Sequence, residues 1–457
     1  MSHAHASTRL RLLGAVTLCL FPSVASAHTG LRRSEPARGA RLNTGPTRIV
    51  LWFTAKPQLA FSRVRLAGPG GDVPLGALVA DSGNSVRASI QAGTLAPGDY
   101  TVRWQTASAD GHPIRGEFVF TVLAVGNATE PAPATPPAVG DSGAHMMPEV
   151  PAAESSEYRS VRWIEFVALL TILGVLGFRH GVLPPLAARG VPTADAGDRA
   201  RRLGMSALVL YAVAAVVRLY TESQAVHGAD AALDPTLLRQ MLLGTTWGLG
   251  WLFGAMGALL LFAGWMVSRR SVAIGTPLAL TGALGVGLAP ALSGHAAASE
   301  HFVLSVVLDV LHVTAAGLWL GGLLIVLIAG IPAMRRLTNG NQDAAVSALV
   351  NSFHPLALFC APLVILAGLG TAWIRLGAFS ALRTEYGQNL IWKLVFVAVV
   401  GSIGLYNSTR ARRNLGTMDA TRRIRRTAAI EVAFAAIVLA ITAALVTSPV
   451  PTNMLTP

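Results

Sequence analysis

Val303 to Ile331 reads VLSVVLDVLHVTAAGLWLGGLLIVLIAGI, 29 residues interrupted by a single charge, Asp309, and a single imidazole, His312. As a helix this run is about 44 Å long at 1.5 Å per residue, more than the ~30 Å hydrocarbon thickness of a bilayer. A chain that spends so many consecutive residues on apolar side chains is building a membrane span. Seven further runs have the same character: approximately 161–184, 203–221, 244–267, 272–293, 353–376, 389–408 and 428–447. The sequence therefore predicts an all-α polytopic bundle of eight transmembrane helices over residues 159–450, with a short tail at 451–457.

Composition agrees, since 52% of residues are hydrophobic and only 13% charged. The net charge of +13 is no sign of nucleic-acid binding, because its arginines cluster between alternate spans. The loops after spans one, three, five and seven carry Arg189, Arg199, Arg201 and Arg202; Arg269 and Arg270; Arg335 and Arg336; and Arg410, Arg412, Arg413, Arg422, Arg423, Arg425 and Arg426. The opposite loops carry only Arg239, Arg375 and Arg383. The positive-inside rule puts the arginine-rich loops in the cytoplasm and the N-terminus outside. No strong internal repeat marks an inverted-repeat transporter.

The first 27 residues give the same orientation independently. Arg9 and Arg11, an apolar run from Leu12 to Phe21 and the small-residue end Ala25-Ser26-Ala27 read as a secretory signal cleaved before His28. Cys19 leaves with it, and Cys360 lies inside a span, so the mature chain has no intramolecular disulfide to form.

Between signal and spans lie two contrasting stretches. Residues 28–125 alternate apolar and polar at Ile49, Leu51 and Phe53, at Tyr100, Val102 and Trp104, and at Phe118, Phe120 and Val122. Turn sequences such as Gly68-Pro69-Gly70-Gly71 and Pro97-Gly98-Asp99 bound these segments, which predicts antiparallel strands and an all-β Greek-key, Ig-like sandwich. Residues 126–158 are rich in Pro, Ala, Ser and Glu with no apolar period, the composition of an extended linker.

Signal cleavage would leave His28 with both an α-amine and an imidazole, a two-nitrogen chelate. Asp110-Gly111-His112 offers a second imidazole and a carboxylate. Nitrogen-rich donors completed by one oxygen suit tetragonal copper(II) better than magnesium or calcium.

His28 to Ala40, Pro97 to Trp104 and Ser108 to Gly116 resemble the CopC family of periplasmic copper-binding proteins, over essentially all of residues 28–124. The resemblance implies a copper(II) site formed by His28, Asp110 and His112. Some members add a methionine-rich copper(I) loop, but here no methionine lies between His28 and Leu123, so one copper(II) site is expected. Met146 and Met147 of the linker either hand copper on or are solvated.

Ser293-Gly294-His295, Asp309 with His312, Gly317 to Leu323, Thr384 to Lys393 and a last span containing Glu431 resemble the CopD family of copper-resistance membrane proteins, over about residues 160–450. The chain is thus similar to a CopC–CopD fusion of the bacterial inner membrane. The resemblance implies copper capture outside the membrane and copper handling or import within it, contributing to copper homeostasis and resistance, by a binding and transport protein rather than an enzyme. Expected partners are copper, membrane lipid and periplasmic copper chaperones, not nucleic acid.

Charged or imidazole side chains at membrane depth are costly and face the bundle interior. Asp309 and His312 share a helical face and His295 ends the preceding span, so the three form either an intramembrane copper path or a hydrogen-bonded network. Glu165, Arg218, Lys393 and Glu431 are candidates for interhelical ion pairs. His180 and His354 near the cytoplasmic ends either release metal or sit at the interface. Cys360 is either a soft copper(I) ligand or a packed small side chain. Two other functions are compatible with these residues: histidine-brace copper oxidase chemistry in the sandwich, and a haem-b or other redox-active electron carrier with axial pairs among His180, His312 and His354.

Overall fold

The computed structural model describes residues 31–53, 57, 59–81, 83–107, 113–124, 156–294, 296, 297, 299, 301–337, 341–412 and 417–447. These fall into two compact units, a β unit and a helical unit. The signal segment, the linker core, His28, Asp110, His112, Met146, Met147 and His295 lie outside the described residues.

Among the described residues the β unit has nine strands: β1 (Leu31–Glu35), β2 (Arg41–Leu42), β3 (Arg48–Phe53), β4 (Arg63–Gly68), β5 (Gly71–Val73), β6 (Val79–Ala80), β7 (Ser85–Ser89), β8 (Gly98–Ala107) and β9 (Pro113–Val122). They form two sheets, ordered β1-β3-β7-β6 and β2-β9-β8-β4-β5. The chain crosses between sheets after β1, β2, β3, β5 and β7, so four of the seven strand pairings join strands that are not consecutive in sequence. This is the cross-connected sandwich that the alternation predicts. One pairing departs from the antiparallel expectation, because β2 runs parallel to β9 through Arg41 opposite Thr121. A two-residue strand was too short to show a period.

All nine alternating apolar residues are buried, and they join Leu66, Val86 and Leu95 in one core between the sheets. Each face-inward residue of β3 therefore meets β8 or β9 rather than solvent, which is what fixes the register.

The helical unit contains α1 (Ser156–Ala187), α2 (Ala194–His227), the short α3 (Pro235–Gly244), α4 (Thr246–Val267), α5 (Val272–Leu292), α6 (Phe302–Met334), α7 (Gln342–Leu376), α8 (Glu385–Ala411) and α9 (Met418–Leu445). All but α3 are long and apolar enough to cross a membrane, eight among the described residues, matching the eight runs. Helices α2, α7 and α9 begin about ten residues before their apolar runs, because Ala, Arg, Asp and Gln extend a helix into water where a hydropathy window stops. Helix α3 has no counterpart in the sequence reading. It starts at Pro235 with the Asp234 carboxylate accepting from the Thr236 and Leu237 amides, a cap and N1 proline that favour helix initiation.

Helices α1 and α6 are the centre: 67% of the most apolar window of each is buried, against 11–39% in the other six spans. Gly174 of α1 faces Gly321 of α6 so closely that a Cβ on either would run into the other helix's backbone. Small residues at such crossings let van der Waals packing replace the hydrophobic drive that is missing in lipid. Val216, Leu259, Leu284, Phe359 and Leu366 point outward, as a lipid-facing surface requires.

Among the described residues four π-helical segments interrupt the spans: Phe178–Val182, Gly317–Gly321, Val326–Gly330 and Asn407–Ala411. Such segments occur mostly as single turns and often at functional sites.

Candidate metal centre and intramembrane polar sites

The β8–β9 hairpin is paired without interruption from Gly98 opposite Val122 to Ala107 opposite Pro113, so residues 108–112, carrying Asp110 and His112, connect its two ends. Three residues inside that end, Trp104 stands across from Gly116, where a Cβ would collide with the indole. The indole is free to reach the other sheet and meets Phe53 edge-on at 5.4 Å between centroids. Phe53 is in turn the register partner of Leu31, the first residue of β1. One aromatic contact thus gathers the start of β1 and the hairpin end at the same edge of the sandwich.

In the helical unit, the ends opposite the arginine-rich loops hold a buried network. Arg162 donates to Glu165 Oε2 at 2.6 Å and Arg218 to Glu165 Oε1 at 3.2 Å. Arg218 also donates to the Ser293 hydroxyl at 2.9 Å and carbonyl at 3.2 Å, and lies over the Trp247 ring. Tyr158 donates to Glu222 Oε2 at 2.6 Å. The two arginines and two glutamates are each no more than 4% exposed, and their charges cancel. Isolated ions at this depth would be prohibitive, so each must keep its partner.

A second cluster joins α6 to α7. Arg375 donates to Asp309 Oδ2 at 2.6 Å and Thr371 to Asp309 Oδ1 at 3.2 Å, so both carboxylate oxygens are engaged. Arg375 belongs to the last turn of α7 rather than to a loop. His312 Nδ1 lies 2.9 Å from the Val364 carbonyl. A carbonyl only accepts, so Nδ1 carries the proton and Nε2 keeps its lone pair, the orientation that second-shell bonds impose on metal-binding imidazoles. The described residues contain no group of three or more His, Cys, Asp or Glu side chains able to hold a metal ion.

Residues 31–123 match the CopC domain, 155–303 the copper resistance protein D-like N-terminal domain, and 347–445 copper resistance protein D. Copper resistance protein C of Pseudomonas syringae pv. tomato is 34% identical over 110 residues, covering 22% of this chain and 86% of that protein. The chain belongs to the CopC–CopD copper-resistance family. Copper transport protein CutJ of Bacillus subtilis strain 168 is 26% identical over 409 residues, 87% of this chain and 71% of CutJ. Among solved structures, the methionine-rich copper resistance protein PcoC of Escherichia coli is 28% identical, covers 21% of this chain and 99% of PcoC, and has a TM-score of 0.20.

In this CopC–CopD chain, Glu165 and Arg218 pair as the sequence suggested. Lys393 and Glu431 do not: no ion pair joins either of them among the described residues. His354 Nδ1 lies 3.4 Å from the Ser408 hydroxyl on α8. Cys360 is a buried free thiol in the core, and His180 is exposed. Val364, which binds His312, and His354 are ten residues apart on α7, about 15 Å, too far for the two imidazoles to ligate one haem iron.

Sequence reading missed Arg162, Tyr158, Glu222 and Arg375 as members of these clusters. Glu222 could have been found, since it lies one helical turn from Arg218 on the same face. Arg375 was hidden by its place at the end of an apolar run.

Proposed function

We propose that the N-terminal domain captures copper(II) outside the membrane through the His28 α-amine and imidazole, Asp110 and His112, and that the CopD-like helices then carry copper inward. Copper is cargo in this reading. The observation that carries it is the Phe53–Trp104 contact, which joins the start of β1 to the end of the β8–β9 hairpin. His28 is three residues before Leu31, within ~10 Å of chain, and Asp110 and His112 fall in the five-residue hairpin connection, so all donors have the reach to meet one ion. Neutral imidazoles, an amine and a carboxylate together rank copper(II) first among divalent first-row ions.

Orientation rests on the arginine-rich loops and the signal segment. Within the bundle, His312 is the residue best prepared to receive copper, because its Nδ1–H is spent on Val364 and its Nε2 remains a donor. Asp309 acts through Arg375 and Thr371 as an organiser of the same α6–α7 seam.

Copper accumulation in cells tests the whole reading. Cells with the intact protein should accumulate copper from the medium, and His312→Ala should lower that uptake at least ~10-fold, the size of effect expected when a metal-site group is lost. The protein should remain in the membrane at its normal level. Normal uptake by His312→Ala would leave His312 a hydrogen-bonding residue only, and no uptake by the intact protein would remove the transport function.

A further inference from the structure

Three of the four π-helical segments converge on one cavity. It measures about 80 Å³ and is lined by Trp319, Val326, Leu327, His354, Asn407, Ser408 and Glu431 among others. Trp319 comes from Gly317–Gly321, Val326 and Leu327 from Val326–Gly330, and Asn407 and Ser408 from Asn407–Ala411. Its volume is several times the ~15 Å³ that one ordered water needs. It lies toward the arginine-rich end of the bundle: His354 is twelve residues, about 18 Å, from the start of α7.

Glu431 is the one carboxylate lining this cavity, and only 2% of it is exposed. Asn407 Nδ2 donates to its Oε2 at 3.0 Å, and Thr427 donates to Asn407 Oδ1 at 2.5 Å, which fixes the amide with its nitrogen toward the acid. Oε1 faces Gly404: a methyl at 404 would stand 3.1 Å from it and 3.5 Å from the Trp319 indole. Among the described residues no cation forms an ion pair with this carboxylate. The other charged or titratable groups lining the cavity are His354 on α7 and Arg412 after α8. Arg412 is committed to Asn351 Oδ1 at 2.9 Å and the Ser408 carbonyl at 3.2 Å. Helix α6 contributes Trp319 and aliphatic side chains. Helix α1 meets α9 through Trp163, whose indole donates to the Ala436 carbonyl at 3.0 Å, while its Arg162 and Glu165 bind each other.

A buried carboxylate without a countercharge takes up a cation or becomes neutral. The cavity offers no sulfur ligand and, with one imidazole and one carboxylate, too few donors for a held metal. We propose that Glu431 is a proton-binding site: Oε1 takes a proton from hydronium that reaches the cavity from bulk solvent, releasing water, while Oε2 keeps its bond from Asn407, and on release the proton leaves to water as hydronium. This site stands independently of the copper reading.

Dicyclohexylcarbodiimide, which adds to protonated carboxyls in apolar surroundings to give a stable N-acylurea, tests it on the full-length protein in detergent. Mass spectrometry of the peptides should find the adduct at Glu431, falling several-fold as the buffer is made alkaline, and none at Glu165, held between two arginines. Glu431→Gln should lose the adduct, and Gly404→Ala, which keeps the acid but crowds Oε1, should reduce it several-fold. Absence of the adduct at Glu431, labelling that ignores pH, or equal labelling at Glu165 would each overturn the proposal. If copper uptake is absent while Glu431 labels as described, the transport reading fails and the proton site remains.

Discussion

Removing the imidazole at position 28 should weaken copper(II) binding by the full-length protein at least ~100-fold, since loss of a mere supporting group already costs a metal site 10–100-fold. His28→Ala leaves the α-amine in place but takes away half of the chelate and its ring nitrogen. A glycine inserted between Ala27 and His28, provided the signal is still cleaved after Ala27, should have a comparable effect by a different route. It preserves every side chain and moves the amine one residue away from its imidazole. Competition titration against a copper(II) chelator measures both. The domain should stay folded, because its core of Ile49, Leu51, Phe53, Val102, Trp104 and Phe120 is untouched. Affinity should also fall in acid, where the amine and imidazoles hold protons that copper must displace. Unchanged binding by both variants would reject the amino-terminal chelate.

The second large effect belongs to Arg218. Arg218→Met should destabilise the helical unit by roughly 3–5 kcal/mol, the usual result of breaking a buried ion pair from one side. The substitution leaves Glu165 with Arg162 alone, takes the donor from both Ser293 oxygens and empties the face of Trp247. The double variant Glu165→Gln/Arg218→Met should recover part of the loss, because the network, left with one excess negative charge by the single substitution, is then neutral again. Thermal unfolding in detergent, followed by tryptophan fluorescence, reads the difference. A single variant as stable as the parent would mean that Arg162 alone suffices to balance Glu165.

The two predictions mark what kind of information the sequence held. Strand alternation at Ile49, Tyr100 and Phe118 and the eight apolar runs were legible because burial imposes a period or a length on neighbouring residues. The pairing of Glu165 with Arg218 could be guessed, since two opposite charges at membrane depth have few alternatives. Which partner each polar group takes was not legible. Asp309 lies 66 residues from Arg375 and Glu431 lies 24 from Asn407, and nothing local encodes such contacts. The cavity was invisible for the same reason: its walls come from four helices, and the π-helical turns that shape it leave no composition signal. The proposed copper ligands were the reverse case, read from a cleavage site, a short motif and a family resemblance, and they lie outside the described residues.

The meeting of Gly174 with Gly321 restricts how this bundle can move. A slip of α1 past α6 by one helical turn would set Gly174 against Gly317 or Ile325 and bring Leu170 or Phe178 onto Gly321, where not even a Cβ has space. The pair therefore has a single workable alignment and behaves as a fixed keel. Any rearrangement that opens a route for an ion has to be made by the helices ranged around it.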